Sequence, residues 1–467
     1  MSVDATEYEK IENELDLFSI QVDGIPIWER IRFKVFRDIN QDKGQGQAHT
    51  QTGEGFSDHL KGLSLWLKNA VHRNPYFAGE REFLFWGHQR RKLETDGNWW
   101  DIYCDPIHER GELNYVHVET PYLMSHRTPA KTEHLRYLDL ILYTGTIQRR
   151  FGLHSPSISA KVTSRLRDAE REIRRRFDTN IDIVSKAKHE LHDRNTTLPL
   201  YDRLLDRIDP SVAVVVVSYG KETFIEACKR KNIPVVELQH GVIYDHHFGY
   251  SYPEDETKTT FPDYLLTFGD FWNENVRFPL PDDHVVSVGY PYLEGRLEAY
   301  DNVERTDQLL FISQGTIGHE LSKFAIDVHE DERIDHEIVY KLHPGEYDRW
   351  EKEYPWLAKS NVRVIDKAEP PLYRLFAEST AQIGVGSTAV YEGLCFDLQT
   401  FVFETDGAEV LSTLVNDGAA SIIESVDELV EELGFGTEHV FDRQRFFKSD
   451  AVSNILEELK RVESTVE

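Results

Sequence analysis

With 467 residues, 40% of them hydrophobic and 12% aromatic, the chain has apolar material for two cores of ordinary size, which excludes a largely disordered protein. A formal net charge of -29 excludes a broad nucleic-acid surface, because phosphate tracking needs clustered cations that displace counterions. The same acidity, with 21 Lys against 32 Arg, predicts a halophilic protein, since the Debye length shrinks to about 3 Å at 1 M salt and carboxylate repulsion is then screened.

The start, MSVDATEYEKIENELDLF, has neither the basic region nor the apolar core of a secretory signal, and no run approaches ~20 apolar residues. Cys104, Cys228 and Cys395 are odd in number and far apart, so neither a disulfide framework nor a CxxC zinc pair is indicated. A cytoplasmic chain is expected, soluble or at most peripheral at the inner face of a membrane. Residues 1–75 read as a helical segment in which Ile27, Ile31 and Val35 recur at helical spacing and a Gly- and Gln-rich mobile loop follows over 40–55. The next helix, FSDHLKGLSLWLKNAVHR, carries Lys61, Lys68 and Arg73 beside Leu60, Leu63, Leu65, Trp66 and Leu67. Packing on the domain is its ordinary reading, and contact with an anionic membrane surface the sharper one.

From Arg81 onward short apolar strands appear: EFLFWG, NYVHVE and LDLILYTG, then a charged helical stretch over 157–194. SVAVVVVSYG, residues 211–220, is a continuous β-branched run, the mark of a parallel strand covered on both faces. Helix KETFIEACKRKN, strand IPVVELQHG, PDYLLTFGDFWNENV and HVVSVGYPYLEG continue a strand-then-helix rhythm. QLLFISQGT, HEIVYKLHPGE, NVRVID, TAQIGVGST and LQTFVFE then restart it. The alternation predicts two doubly wound parallel sheets with ligands at the carboxyl ends of their strands, over residues 76–295 and 296–467.

Three loops carry candidate chemistry. In KLHPGE, His343 stands at a strand end where an imidazole can donate to a phosphate or a leaving oxygen, with Lys341 before it and Pro344 setting the turn; a solvent-facing His in a turn explains the string equally well. In GVGSTAVYEGL, Gly386, Ser387 and Thr388 open a helix whose first N–H groups can face a phosphate, and Glu392 follows about a turn later, where a carboxylate can accept from ribose; a plain N-cap reads equally well. In ELQHGVIYDHHFGY, His240 follows a strand and can act as a general base, whereas Asp245, His246 and His247 do not form a defined ligand set, so no metal is expected.

Taken in order, the QHG loop, VGYP, KLHP and GSTAVYEGL resemble GT-B-type transferases of surface polysaccharide synthesis, a set that includes capsule glycosyltransferases, sialyltransferases with a His-Pro motif and CDP-glycerol glycerophosphotransferases. The resemblance covers roughly residues 210–405 and implies an α/β fold of two Rossmann-like domains facing across a cleft. It implies a metal-independent glycosyltransferase that needs no cofactor and moves a sugar from a nucleotide-sugar donor to a glycan or lipid-linked acceptor. His240 would be the base, and His343 would bind or protonate the donor phosphate. Ser387, Thr388, Glu392 and the loop Ser313, Gln314, Gly315, Thr316 would hold the donor together with Lys341, Pro344 and Gly386. Gln239 and Gly241 would lie at the acceptor, and outside the resemblance Arg90, Arg91 and Lys92, which follow the first strand, are candidate contacts to an acceptor phosphate, a solvated loop being their ordinary reading. No DxD motif stands at a strand end, in keeping with side chains and helix ends neutralising the leaving diphosphate. Gly393-Leu394 departs from the family, where Ala often follows the Glu. A CDP-alditol phosphotransferase, a UDP-sugar 2-epimerase-like isomerase and a non-catalytic scaffold share the pattern.

Overall fold

A computed structural model describes residues 4–42, 56–152, 155–254, 256–405, 407–435 and 441–465. Of the Gly- and Gln-rich loop expected over 40–55, residues 43–55 lie outside them, and residues 40–42 are not loop but the end of the helix Ile27–Asp42. The chain divides into an N-terminal unit, Val3–Pro291 with Ser449–Glu467, and a C-terminal unit, Tyr292–Lys448. Both are Rossmann-like α/β units.

The N-terminal unit holds a seven-stranded parallel sheet: β1 (Phe83–Trp86), β2 (Tyr115–Glu119), β3 (Leu135–Tyr137), β4 (Val212–Val216), β5 (Val235–Leu238), β6 (Tyr264–Thr267) and β7 (Val285–Ser287), in the order β7-β6-β5-β4-β1-β2-β3. Every residue of β1, β2, β4 and β5 is buried because helices cover both faces. On one face Leu84, Val116, Ala213 and Val215 pack against Leu204, Leu205 and Ile208 of the helix Ile183–Ile208. On the other, Phe85, Val214 and Val236 pack against Ile107 and against Ile455, Leu459 and Val462 of the helix Ala451–Glu463. The run LDLILYTG is not a strand: it forms most of the first two turns of the helix Asp139–Arg150, and β3 is the preceding LRY. A short apolar run fits a buried helix as well as a strand, and here only one side is covered, with Ile141 buried and Leu142 exposed.

The helices Ala5–Glu14 and Ile27–Asp42 form a satellite core with Ala160–Phe177 around Tyr8, Trp28 and Ile31. Within it Arg32 is fully buried, forks onto both oxygens of Glu12 at 2.7 and 2.9 Å and stacks 4.4 Å over the Phe248 ring. That fork compensates two charges taken out of water.

The C-terminal unit repeats the plan with six parallel strands: β8 (Gln308–Ile312), β9 (Glu337–Lys341), β10 (Arg363–Ile365), β11 (Ala381–Gly384), β12 (Gln399–Phe403) and β13 (Ser421–Ile423), in the order β10-β9-β8-β11-β12-β13. In both sheets the chain starts in the middle, walks to one edge and resumes on the other side of the first strand. The crevices at β1/β4 and at β8/β11 are therefore topological switch points, where the carboxyl-end loops diverge and leave room for a ligand.

Candidate functional site

At the first switch point the loops after β1, β4 and β5 bring His88, Lys221, Glu237 and His240 together with three tyrosines. Glu237 sits within β5 with its side chain fully buried, and it accepts from Ser218 N at 3.0 Å and from the Tyr250 hydroxyl. The same Tyr250 oxygen is 3.2 Å from His240 Nδ1, while the Tyr219 hydroxyl is 3.1 Å from His240 Nε2. Since Tyr250 spends its one proton on Glu237, its oxygen accepts from Nδ1–H, which assigns the lone pair of neutral His240 to Nε2. Tyr103 fixes the backbone by donating to the His240 carbonyl at 2.7 Å. Burial, then the nearby His88, His247, Lys221 and Arg90, hold the His240 imidazole well below its ordinary range, so it is neutral near pH 7.

The loop after β4 is strained. Val217, a β-branched residue, has φ +69°, and the turn sets Lys221 Nζ 2.6 Å from the Val217 carbonyl, with burial lowering this amine to about 8. His88 lies 6.3 Å from His240, ring to ring and nearly parallel, and burial brings it down to about 3.

The residues expected to meet an acceptor separate. Gln239 is buried and spans its own loop, donating to Gly241 O at 2.8 Å and accepting from Phe268 N at 2.7 Å, so it braces the turn that carries His240. Gly241 is buried as well. Arg91 points inward, 2.7 Å from both Glu119 and Thr132 and 3.5 Å from Asp105, while Arg90 is exposed and Lys92 half-buried. Asp245 is exposed, and His247 stacks on Phe33 with centroids 5.3 Å apart.

In the C-terminal unit the organising residue is Glu346, the last of KLHPGE. It is fully buried and accepts from His343 N at 2.8 Å, Tyr354 OH at 2.7 Å and Ser313 Oγ at 3.1 Å, so it ties the loop after β9 to the loop after β8. Gly318 makes room for it, because a Cβ there would stand 2.4 Å from Glu346 Oε1 and 2.2 Å from the Tyr354 hydroxyl. Gly345 N donates to His343 Nδ1 at 3.1 Å, which puts the proton of neutral His343 on Nε2 and makes that nitrogen a donor. Pro344 is exposed at the tip, and Lys341 is buried, donating to Tyr347 OH at 2.9 Å and to the Lys367 carbonyl.

Gln314 Oε1 accepts from Gly386 N at 3.4 Å, joining the loops across the second switch point. Ser387 caps the helix Thr388–Leu394 by accepting from Ala389 N at 3.2 Å, and Thr388 and Glu392 are half-buried beside it. Thr316 is exposed and Gly315 lies close to the guanidinium of Arg349, 3.0 Å from where a Cβ would be. Arg349 Nε donates to Gly345 O at 3.1 Å, so this cation touches both the Gly315 and the His343 loops.

Sequence reading passed over Glu346, Arg349, His88 and Glu237. It also passed over Cys104, His108 and His117, which bring one ligand atom each within 4.8 Å of one another, the only such group of three among the described residues. The Cys-x3-His spacing at a helix start was the available signal. The two imidazoles also approach within 3.1 Å, a distance at which they can share a hydrogen bond.

No family model matches the sequence, and no curated protein matches it. Among solved structures the chain is similar to a UDP-GlcNAc 2-epimerase from Methanocaldococcus jannaschii, with 11% identity, a TM-score of 0.45, and 81% of this chain and 99% of that chain covered. It is similar to the wall teichoic acid polymerase TagF, with 11% identity, a TM-score of 0.44 and coverages of 94% and 98%. A glycosyltransferase from Rickettsia africae is 11% identical, with a TM-score of 0.42 and coverages of 83% and 98%.

Proposed function

We propose that the chain is a cytoplasmic GT-B-type glycosyltransferase that moves a sugar from a nucleotide-activated donor to a glycan or lipid-linked acceptor in surface polysaccharide or glycoprotein glycan synthesis. The observation that carries the reading is a pair of histidines, each at the carboxyl end of a parallel sheet, with opposite tautomers set by their neighbours. His240 is held by Tyr250 and Tyr219, and His343 by Gly345 N.

In this reading His240 Nε2 takes the acceptor hydroxyl proton as the acceptor oxygen attacks the anomeric carbon, while Tyr219 marks where that hydroxyl would lie. The bond from that carbon to the donor phosphate breaks, and the negative charge that develops on the leaving oxygen meets His343 Nε2–H. The Gly386 and Ser387 loop, Gln314 and Arg349 surround the same phosphates, and Glu392 accepts from the ribose. Fixed donors of this kind stabilise the transition state because they need no reorganisation as charge moves. Arg90 and Lys92 are the cations offered to an acceptor phosphate, Arg91 being engaged internally.

The test is a screen of UDP-, GDP- and CMP-sugars and CDP-glycerol with glycan acceptors, reading release of the nucleotide. His240→Ala and His343→Ala should each lower turnover by about 10² to 10⁴ if they move protons. Full activity in both variants would refute the assignment. Release of CMP from CDP-glycerol would mark an alditol phosphotransferase instead, and conversion of a sugar nucleotide without acceptor an isomerase.

A further inference from the structure

The helix Phe56–Asn69 and the turn after it carry an apolar stripe that the fold leaves uncovered. Leu60, Leu63, Leu67 and Val71, spaced three, four and four residues apart and so on one helical face, are 53%, 44%, 57% and 83% exposed. The opposite face is the one that holds the helix in place. There Gly62 abuts the Tyr143 ring, Trp66 Nε1 donates to Thr144 Oγ1 at 2.9 Å, and Asn69 Oδ1 accepts from Leu140 N at 3.0 Å. Two more exposed leucines, Leu123 and Leu142, belong to segments packed against this helix, through Met124 beside Gly62 and through the helix Asp139–Arg150. Of the ten large apolar side chains exposed among the described residues, six therefore fall in this one region.

Its charge departs from the rest of the chain. The sequence holds 82 Asp and Glu, yet none occurs from Leu60 to Gly79, while Lys61, Lys68 and Arg73 do. Lys61 and Lys68 are exposed beside the leucines. Asp58 is the one acidic residue of this helix, and the stripe that follows it, flanked by Lys61 and Lys68 on a chain of net charge -29, is complementary to a surface that is itself anionic and has an apolar interior.

We infer that this face docks on an anionic lipid bilayer, with Leu60, Leu63, Leu67 and Val71 at the acyl boundary and Lys61 and Lys68 among the headgroups. The helix lies in the plane of the interface and does not cross it: no helix among the described residues is long and apolar enough to do so. The inference does not rest on the transferase reading, and its test measures binding alone.

The test is flotation of the full chain with phosphatidylglycerol vesicles and with phosphatidylcholine vesicles in the same buffer. The chain should float with the anionic vesicles, and Leu63→Asp/Leu67→Asp should lower that partitioning by roughly tenfold or more while leaving the circular dichroism spectrum unchanged. Lys61→Glu/Lys68→Glu should weaken binding to the anionic vesicles. A chain that floats with neither vesicle, or equally with both, overturns the inference, as does a double-leucine variant that floats like the parent. A chain that light scattering shows to be a dimer, made monomeric by Leu63→Asp/Leu67→Asp, assigns the face to a second copy of itself and overturns it too.

Discussion

The Tyr250 hydroxyl stands between Glu237 and His240, donating to the first and lying 3.2 Å from Nδ1 of the second. It assigns the proton of neutral His240 to Nδ1, so Tyr250→Phe should leave the fold intact and free the imidazole to change tautomer. We expect kcat to fall by about 10- to 100-fold with the donor KM unchanged, since the loops proposed to hold the donor belong to the other unit. Steady-state kinetics over both substrates checks it, and Glu237→Gln, which keeps the shape, should fall less than Glu237→Ala.

Acid sensitivity has two parts. His240 stays neutral far below pH 6.5, so the acid limb of kcat/KM should lie well under that value, and a limb at pH 6.5 or above would mean another base. For stability, burial depresses His88 to about 3 and His247 to about 4 from an unfolded value of 6.5. Between those values the unfolded chain binds protons that the folded chain does not. The contribution of these two histidines is therefore full above pH 6.5 and is lost as pH falls below it, against the opposite contribution of the Asp105 carboxyl, which burial raises to about 7. Urea unfolding from pH 7 to pH 4.5 should show the decline, and His247→Gln should flatten its slope.

At Gly393 the sequence resemblance leads one to expect Ala, and packing accounts for the glycine. A Cβ there would stand 2.0 Å from Gln382 Oε1, and Gln382 is anchored through Nε2 to Val390 O at 2.8 Å and Thr400 Oγ1 at 2.9 Å. Gly393→Ala should displace that amide and cost about 1 to 3 kcal/mol. In a unit of this size each kcal/mol lowers Tm by roughly 2 to 4 °C, which calorimetry would detect.

The net charge of -29 leads to an expectation about salt. Raising KCl to molar levels should raise the unfolding midpoint, because screening removes repulsion that the compact state concentrates. Equal stability in dilute buffer and molar KCl would remove the halophilic reading.

Strands such as β4 were legible because five consecutive apolar residues need cover on both faces, and the positions of His240 and His343 followed from strand ends. Contacts made by distant segments were not legible. Glu346, two residues past Pro344, looks like a solvated carboxylate until Ser313 and Tyr354 are folded over it. Arg91 sits in a run of three cations that reads as surface, and only Glu119 and Asp105, brought from 28 and 14 positions away, draw it inside. LDLILYTG misled because a run of that length carries no periodicity to separate helix from strand.

The helix Ala451–Glu463 lies past the whole C-terminal unit in the chain yet supplies Ile455, Leu459 and Val462 to the core under β1, β4 and β5. During synthesis the first sheet therefore lacks part of the cover of one apolar face until roughly 160 further residues have emerged, so its core can be completed only after the second unit has been made. A fragment ending at Pro291 would lack Ile455, Leu459 and Val462 permanently and should aggregate more readily than the full chain, whereas residues 292–448 form a compact unit and are the half to express alone.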